Sequence, residues 1–133
     1  MGYRSDIKIV VLASSKEAMD DLIAVYNMIP SVQKEGGFKE LGWEHYPLGE
    51  GRVVTFEEEH IKWYLGYNDV DAIMELCELA HTFNQERPDD IYTARCIRVG
   101  ENMNDIEVYD YGDSYEYDLD DILSVRTEIV LSL

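Results

Sequence analysis

Nine acids lie between Glu101 and Asp121, in the run ENMNDIEVYDYGDSYEYDLDD, with no lysine or arginine among them. Tyr109, Tyr111, Tyr115 and Tyr117 take odd positions there, while Asp110, Glu116 and Asp118 take even ones. Successive side chains of an extended chain point to opposite faces. An extended segment would therefore carry an aromatic face and a mostly acidic face. Such carboxylates are acceptors for basic groups. Alternate side chains recur every ~6.6–6.8 Å along a strand, close to the ~7 Å between neighbouring phosphates of a nucleic-acid strand whose axial rise is ~3.4 Å. Glu101, Asp105, Glu107, Asp110, Asp113, Glu116 and Asp118, with Tyr109, Tyr111 and Tyr115, are thus candidate partner-binding residues. The bland alternative is a solvated acidic hairpin, which is what most charge runs are.

Other constellations carry less. Cys77 and His81 stand four apart on an expected helix, but zinc needs two further ligands, and His60 and Cys96 belong to no paired motif. After Asp110 the order YGDSYEYDLDD puts glycine where an EF-hand places a ligand, so only a weak calcium or magnesium site is compatible. Ser14, Ser15 and the cysteines sit in no nucleophile context, and His45, His60 and His81 are scattered. Glu57, Glu58 and Glu59 can pair as acid and base, yet carboxylates are so abundant that pairing says little. Gly36-Gly37 and Gly49-Glu50-Gly51 do not lead a strand into a helix, as a phosphate loop requires. No catalytic residue, cofactor or metal is expected.

Twenty-eight acids against eleven bases give a formal charge of −17 over 133 residues. That repels phosphates and anionic membranes and attracts basic surfaces. Apolar content of 46% argues against disorder, and the length fits a single domain spanning 1–133. Cys77 and Cys96 read as buried thiols of a reducing cytosol. The first apolar run, Ile7 to Ala13, is too short for a secretory signal, and no run approaches a membrane span. A cytoplasmic protein is expected.

Ile7 to Ala13 reads as a buried strand, followed by a helix start at Ser14 with Glu17 in capping-box spacing. Met19, Leu22, Ile23, Tyr26 and Ile29 recur at helical spacing until Pro30 ends the helix. Glycines break residues 31–51, where Trp43 and Tyr46 mark a short strand or packed loop. Arg52 to Tyr64 is strand-like, but its apolar parity switches after Phe56, so a bulge or tight turn belongs near Glu57–Glu59. Asn68 can cap a second helix whose face is Val70, Ile73, Met74, Cys77, Ala80 and His81. Ile91 to Val99 and Asp105 to Tyr111 pair as a hairpin across Gly100–Asn104, and residues 125–133 alternate as a half-buried terminal strand. The order predicts an α+β fold: a mostly antiparallel sheet with two helices on one face, ferredoxin-like with extra strands.

The opening MGYRS, the segment IKWYLGYNDVDAI and the turn IRVGENMNDIEVY resemble a loose group of small phage-encoded proteins. The resemblance implies a viral or prophage source and carries over no activity and no functional residues.

Two kinds of function follow. The first is an acidic inhibitor acting by nucleic-acid mimicry, an anti-CRISPR or anti-restriction protein. It would bind a positively charged host nuclease or CRISPR effector with the 101–121 acids, helped by Glu57–Glu59 and Asp89–Asp90. The second is a small-molecule binder with a pocket lined by Trp43, Tyr46, Trp63 and Tyr64. A structural or regulatory homodimer joined along a strand edge is a further possibility. Neither an enzyme nor a direct nucleic-acid binder is expected.

Overall fold

The computed structural model describes residues 3–102, 104–112, 123–125 and 129–131. Strand β1 (Ser5–Ala13) leads into helix α1 (Lys16–Tyr26) and the short helix α2 (Pro30–Lys34). Strands β2 (Glu44–Leu48) and β3 (Gly51–Ile61) form a hairpin, followed by the long helix α3 (Asn68–Glu86). A second hairpin joins β4 (Tyr92–Gly100) to β5 (Ile106–Gly112). The five strands make one antiparallel sheet in the order β2-β3-β1-β4-β5. The short strands β6 (Leu123–Val125) and β7 (Ile129–Leu131) pair with each other in a separate two-stranded sheet.

β1 is central because its run from Ile9 to Ala13 has no polar face to offer water. Ile7, Ile9, Val11 and Ala13 pack with the helices, against Met19, Leu22 and Tyr26 of α1 and Ile73, Leu76 and Cys77 of α3. Val10 and Leu12 point the other way and meet Val53, Ile97 and Leu131. Burial on both sides explains why this strand reads as a continuous apolar run and not as an alternation.

Of the bulge or tight turn expected near Glu57–Glu59, the structure has a bulge, and β3 is one bent strand. Ile7 pairs with Glu58 but Ser5 pairs with Ile61, so three residues of β3 span two of β1. His60 takes the extra position at φ 57°, and its N–H donates to Asp6 Oδ1 at 2.9 Å. The slip returns Ile61 and Trp63 to the helical side, where both pack on the core.

Several local expectations need correction. The cap of α1 is Ser15, whose Oγ accepts from the Ala18 N–H, while Ser14 Oγ accepts from the Ile91 N–H. Pro30 does not merely stop a helix; it opens α2 at a first-turn position where its missing N–H costs nothing. The N-cap of α3 is Tyr67, without a side-chain cap, and Asn68 already lies inside the helix. Instead, Asp71 Oδ1 accepts from the Gly66 N–H and holds the preceding turn. His81 is exposed, and Leu76 and Phe83 complete the buried face in its place. The single terminal strand is replaced by the β6–β7 pair.

Tyr26 ties the helices to the β2 side. Its buried hydroxyl donates to the Ala72 carbonyl at 2.6 Å and accepts from Trp43 Nε1 at 3.2 Å. Burial drives its pKa upward, so it stays a neutral donor. Tyr26→Phe strands both partners and is expected to cost about 1–3 kcal/mol in urea unfolding. A change below a few tenths of a kcal/mol would mean that water replaces the hydroxyl.

Candidate functional site

β5 exposes its two faces differently. Glu107, Tyr109 and Tyr111 lie opposite Arg98, Cys96 and Ala94 of β4, on the side that carries the helices. Ile106, Val108 and Asp110 lie opposite Val99, Ile97 and Arg95, on the other side. Tyr109 and Tyr111 thus share a face as the alternation predicts. Asp110 shares its face with two exposed apolar residues and not with a row of acids. Asp113, Tyr115, Glu116 and Asp118 lie outside the described residues, as do Tyr117 and most of the loop considered for calcium.

The acids that are described are mostly engaged by the chain's own arginines. Arg95 grips Asp110 with two bonds of 2.7 and 3.0 Å. Arg98 is the more constrained of the two, its side chain only 12% exposed. Its Nε donates to Glu107 Oε1, Nη1 to Ser5 Oγ and Asp105 Oδ2, and Nη2 to Asp105 Oδ1 and Glu107 Oε1. A guanidinium has five N–H donors, and all five are used. Tyr3 adds its hydroxyl to Asp105 at 2.7 Å. Gly100 lies beside this contact, and a Cβ there would collide with both the Tyr3 ring and the Asp105 carboxylate. Glu101 instead accepts the Arg4 backbone N–H at 3.1 Å.

This charged cluster forms one end of a cleft of about 470 Å³ between α3, the β4–β5 hairpin and the segment after β3. Trp63, Tyr64, Tyr109 and Tyr111 supply aromatic surface, with Leu65, Met74 and Cys96 between them. Tyr3, Glu78, Arg98, Asp105 and Glu107 supply the polar atoms. Trp63 is held by the bulge and by an aromatic series through the core, with Phe38–Trp43, Trp43–Phe56 and Phe56–Trp63 centroids 6.3, 5.8 and 6.0 Å apart. Tyr64 is fixed at its hydroxyl, which accepts the Tyr3 N–H at 2.6 Å and donates to the Tyr3 carbonyl at 3.2 Å. Burial raises Tyr111 to about 12, with nearby Cys77, Cys96 and Glu78 adding to the effect. It therefore faces the cleft as a neutral phenol.

Of the four aromatics expected to line a pocket, the structure brings Trp63 and Tyr64 to this cleft. Trp43 is 5% exposed and belongs to the core. Tyr46 stands on edge strand β2, its hydroxyl bonded to Glu44. Tyr109 and Tyr111 take the other two places. Arg98 carries no motif in the sequence, although a register-matched hairpin across Gly100–Asn104 puts it opposite Glu107.

Cys77 and Cys96 are buried free thiols. Burial pushes Cys77 up, and it raises Cys96 to about 12 against the opposing pull of Arg98. Neither is a nucleophile at neutral pH. Among the described residues, no three His, Cys, Asp or Glu groups are placed to hold a metal ion. No helix among them is long and apolar enough to cross a membrane. No protein-family model matches the chain, and no curated protein matches it.

Arg98 and, secondarily, Tyr3 hold the Asp105 pKa below the usual carboxylate range. A group depressed in the folded state stabilises the protein above its unfolded pKa, about 3.9 for Asp, and loses that contribution as pH falls through its lower folded value. Asp105→Asn is therefore expected to flatten the acid limb of a urea-midpoint profile below about pH 4. An unchanged limb would show that this pair does not couple to folding.

Proposed function

We propose that this chain is a non-catalytic binding protein that holds a small molecule in the cleft between α3 and the β4–β5 hairpin. The observation that carries this reading is the convergence of four aromatic side chains and a fixed Arg98–Asp105–Glu107 cluster on a cleft of about 470 Å³. Binding sites for small molecules have this size and this mixture of apolar wall and few oriented polar groups. Two buried, protonated thiols in place of a disulfide agree with a cytoplasmic setting. The connectivity supports a ferredoxin-like arrangement: β4-β1-β3-β2 with α1 and α3 as crossovers, and β5 added at one edge.

A second reading is favoured by the charge of −17 and by the consecutive exposed Glu57, Glu58 and Glu59. It is an acidic, phage-encoded inhibitor that covers the basic channel of a host nuclease or CRISPR effector. Asp105, Glu107 and Asp110 support it less than the sequence implies, because each is bonded to an arginine of β4. A homodimer joined along an edge would use β2 or β5, the outer strands of the sheet.

A thermal-shift screen of neutral, anionic and cationic small molecules tests the first reading. A ligand at a hundredfold excess over its Kd adds about 2.7 kcal/mol, a rise of several degrees. Tyr109→Ala, at a position 42% exposed, should remove the shift without unfolding the protein. A flat response across the screen, with salt-sensitive capture of a basic nuclease from lysate, would favour the second reading.

A further inference from the structure

We infer that the cleft selects a small organic cation, an alkylammonium held over aromatic faces and beside carboxylates. This deepens the binding-protein reading and rests on it. Three carboxylates line the cleft, on Glu78, Asp105 and Glu107, against the single guanidinium of Arg98, so its fixed charge is −2.

The one cation present cannot act as an anion receptor. Each of its five N–H groups already donates to Ser5, Asp105 or Glu107. A phosphate or carboxylate ligand would have to break one of these bonds and then sit beside two displaced acids. The hydroxyls of Tyr3 and Tyr64 are likewise committed, to Asp105 and to the Tyr3 backbone. Arg98 thus fixes the acids in place and adds no free donor.

The remaining groups favour positive charge. Glu78, on α3, has no hydrogen bond or ion pair from its carboxylate among the described residues. Trp63, Tyr64, Tyr109 and Tyr111 line the cleft with aromatic rings, and a cation within ~6 Å of the face of such a ring is attracted by its quadrupole. A compact metal ion does not suit the site, since no three His, Cys, Asp or Glu groups converge to hold one among the described residues. A diffuse organic cation satisfies both the acids and the rings. Leu65, 76% exposed, and Tyr109 stand at the rim, where alkyl groups can be covered.

The test uses choline and its neutral isostere 3,3-dimethyl-1-butanol, with benzoate as the anionic probe. Each is titrated at constant ionic strength and followed by tryptophan fluorescence and by NMR shifts. Choline is expected to bind at least tenfold more tightly than the isostere, and benzoate not at all. Glu78→Gln and Tyr109→Leu should each weaken choline about tenfold while the fold, checked by urea unfolding, is kept. Equal or tighter binding of the isostere or of benzoate would overturn the cation assignment and leave the cleft a binding site. Tighter binding of a lysine-rich peptide than of choline would overturn the small-molecule assignment. Absence of binding by all probes, together with a flat thermal-shift screen, would remove both readings.

Discussion

Ile7, Ile9 and Val11 face the helices while Val10 and Leu12 face away, and all five are fully buried. Everything else in this chain is arranged to keep that strand dry. β3 and β4 flank it and satisfy its backbone groups, which a buried strand requires. α1 and α3 cover one face; on the other, Val10 and Leu12 lie among Val53 and Ile97 of the neighbouring strands and pack with Leu131 of β7. Because β1 is shielded on all sides from Ile9 to Ala13, polar residues are displaced to the margins of the sheet. The cleft lies at one such margin, where β5 forms the edge and the strand ends near Ser5 and Gly100 come together.

That location explains how an acidic chain places an arginine in a sheltered position. Arg98 projects on the helical side, where a lone guanidinium would lose hydration without return. Ser5, Asp105 and Glu107 supply all of its acceptors, so charge and hydrogen bonding are both satisfied. The result is a rigid floor and not a mobile hook. Surface ion pairs are usually worth ~0–1 kcal/mol; the value of this one lies in fixing two carboxylates and the Tyr3 ring relative to the aromatic wall. Gly100 belongs to the same device, because only a residue without a side chain leaves room for the Tyr3–Asp105 contact.

Much of the architecture was legible from periodicity. The continuous apolar run at Ile7–Ala13, the helical spacing through Tyr26, and the hairpin around Gly100 each have one natural reading. The parity switch after Phe56 leaves a bulge or a tight turn, and the pairing of Ser5 with Ile61 decides for the bulge. What could not be read came from positions where a single residue type serves two ends. Pro30 marks a helix start as well as a stop, and adjacent Ser14 and Ser15 are equally good caps by type. Alternation through residues 125–133 does not reveal where a chain reverses. For the site, Trp63 and Tyr64 were visible as aromatics, but Trp43 was drawn into the core by its bond to Tyr26. The acids of β5 look like a free array along the chain, whereas their partners lie across the hairpin. Arg95 and Arg98 stand opposite Asp110 and Glu107 in register, and that pairing decides how much of the acidity reaches solvent.

The extra residue at His60 also governs how this region can vary in length. A strand counts in twos, so the odd spacing from Phe56 to Trp63 reaches a single face only because the bulge absorbs one residue. Were the strand to run regularly at the same length, Ile61 and Trp63 would leave the helical side together, and the cleft would lose a wall although no lining residue had been replaced. Paired gains or losses of residues would keep the parity. Substitutions at the exposed Glu57, Glu58 and Glu59 are compatible with the site, whereas loss of a single residue is compatible only where the bulge goes with it and Ile61 stays opposite Ser5. The spacing from Phe56 to Trp63 is therefore an odd-even code, odd with the bulge and even without it, that a family of related chains would have to obey to keep the same cleft.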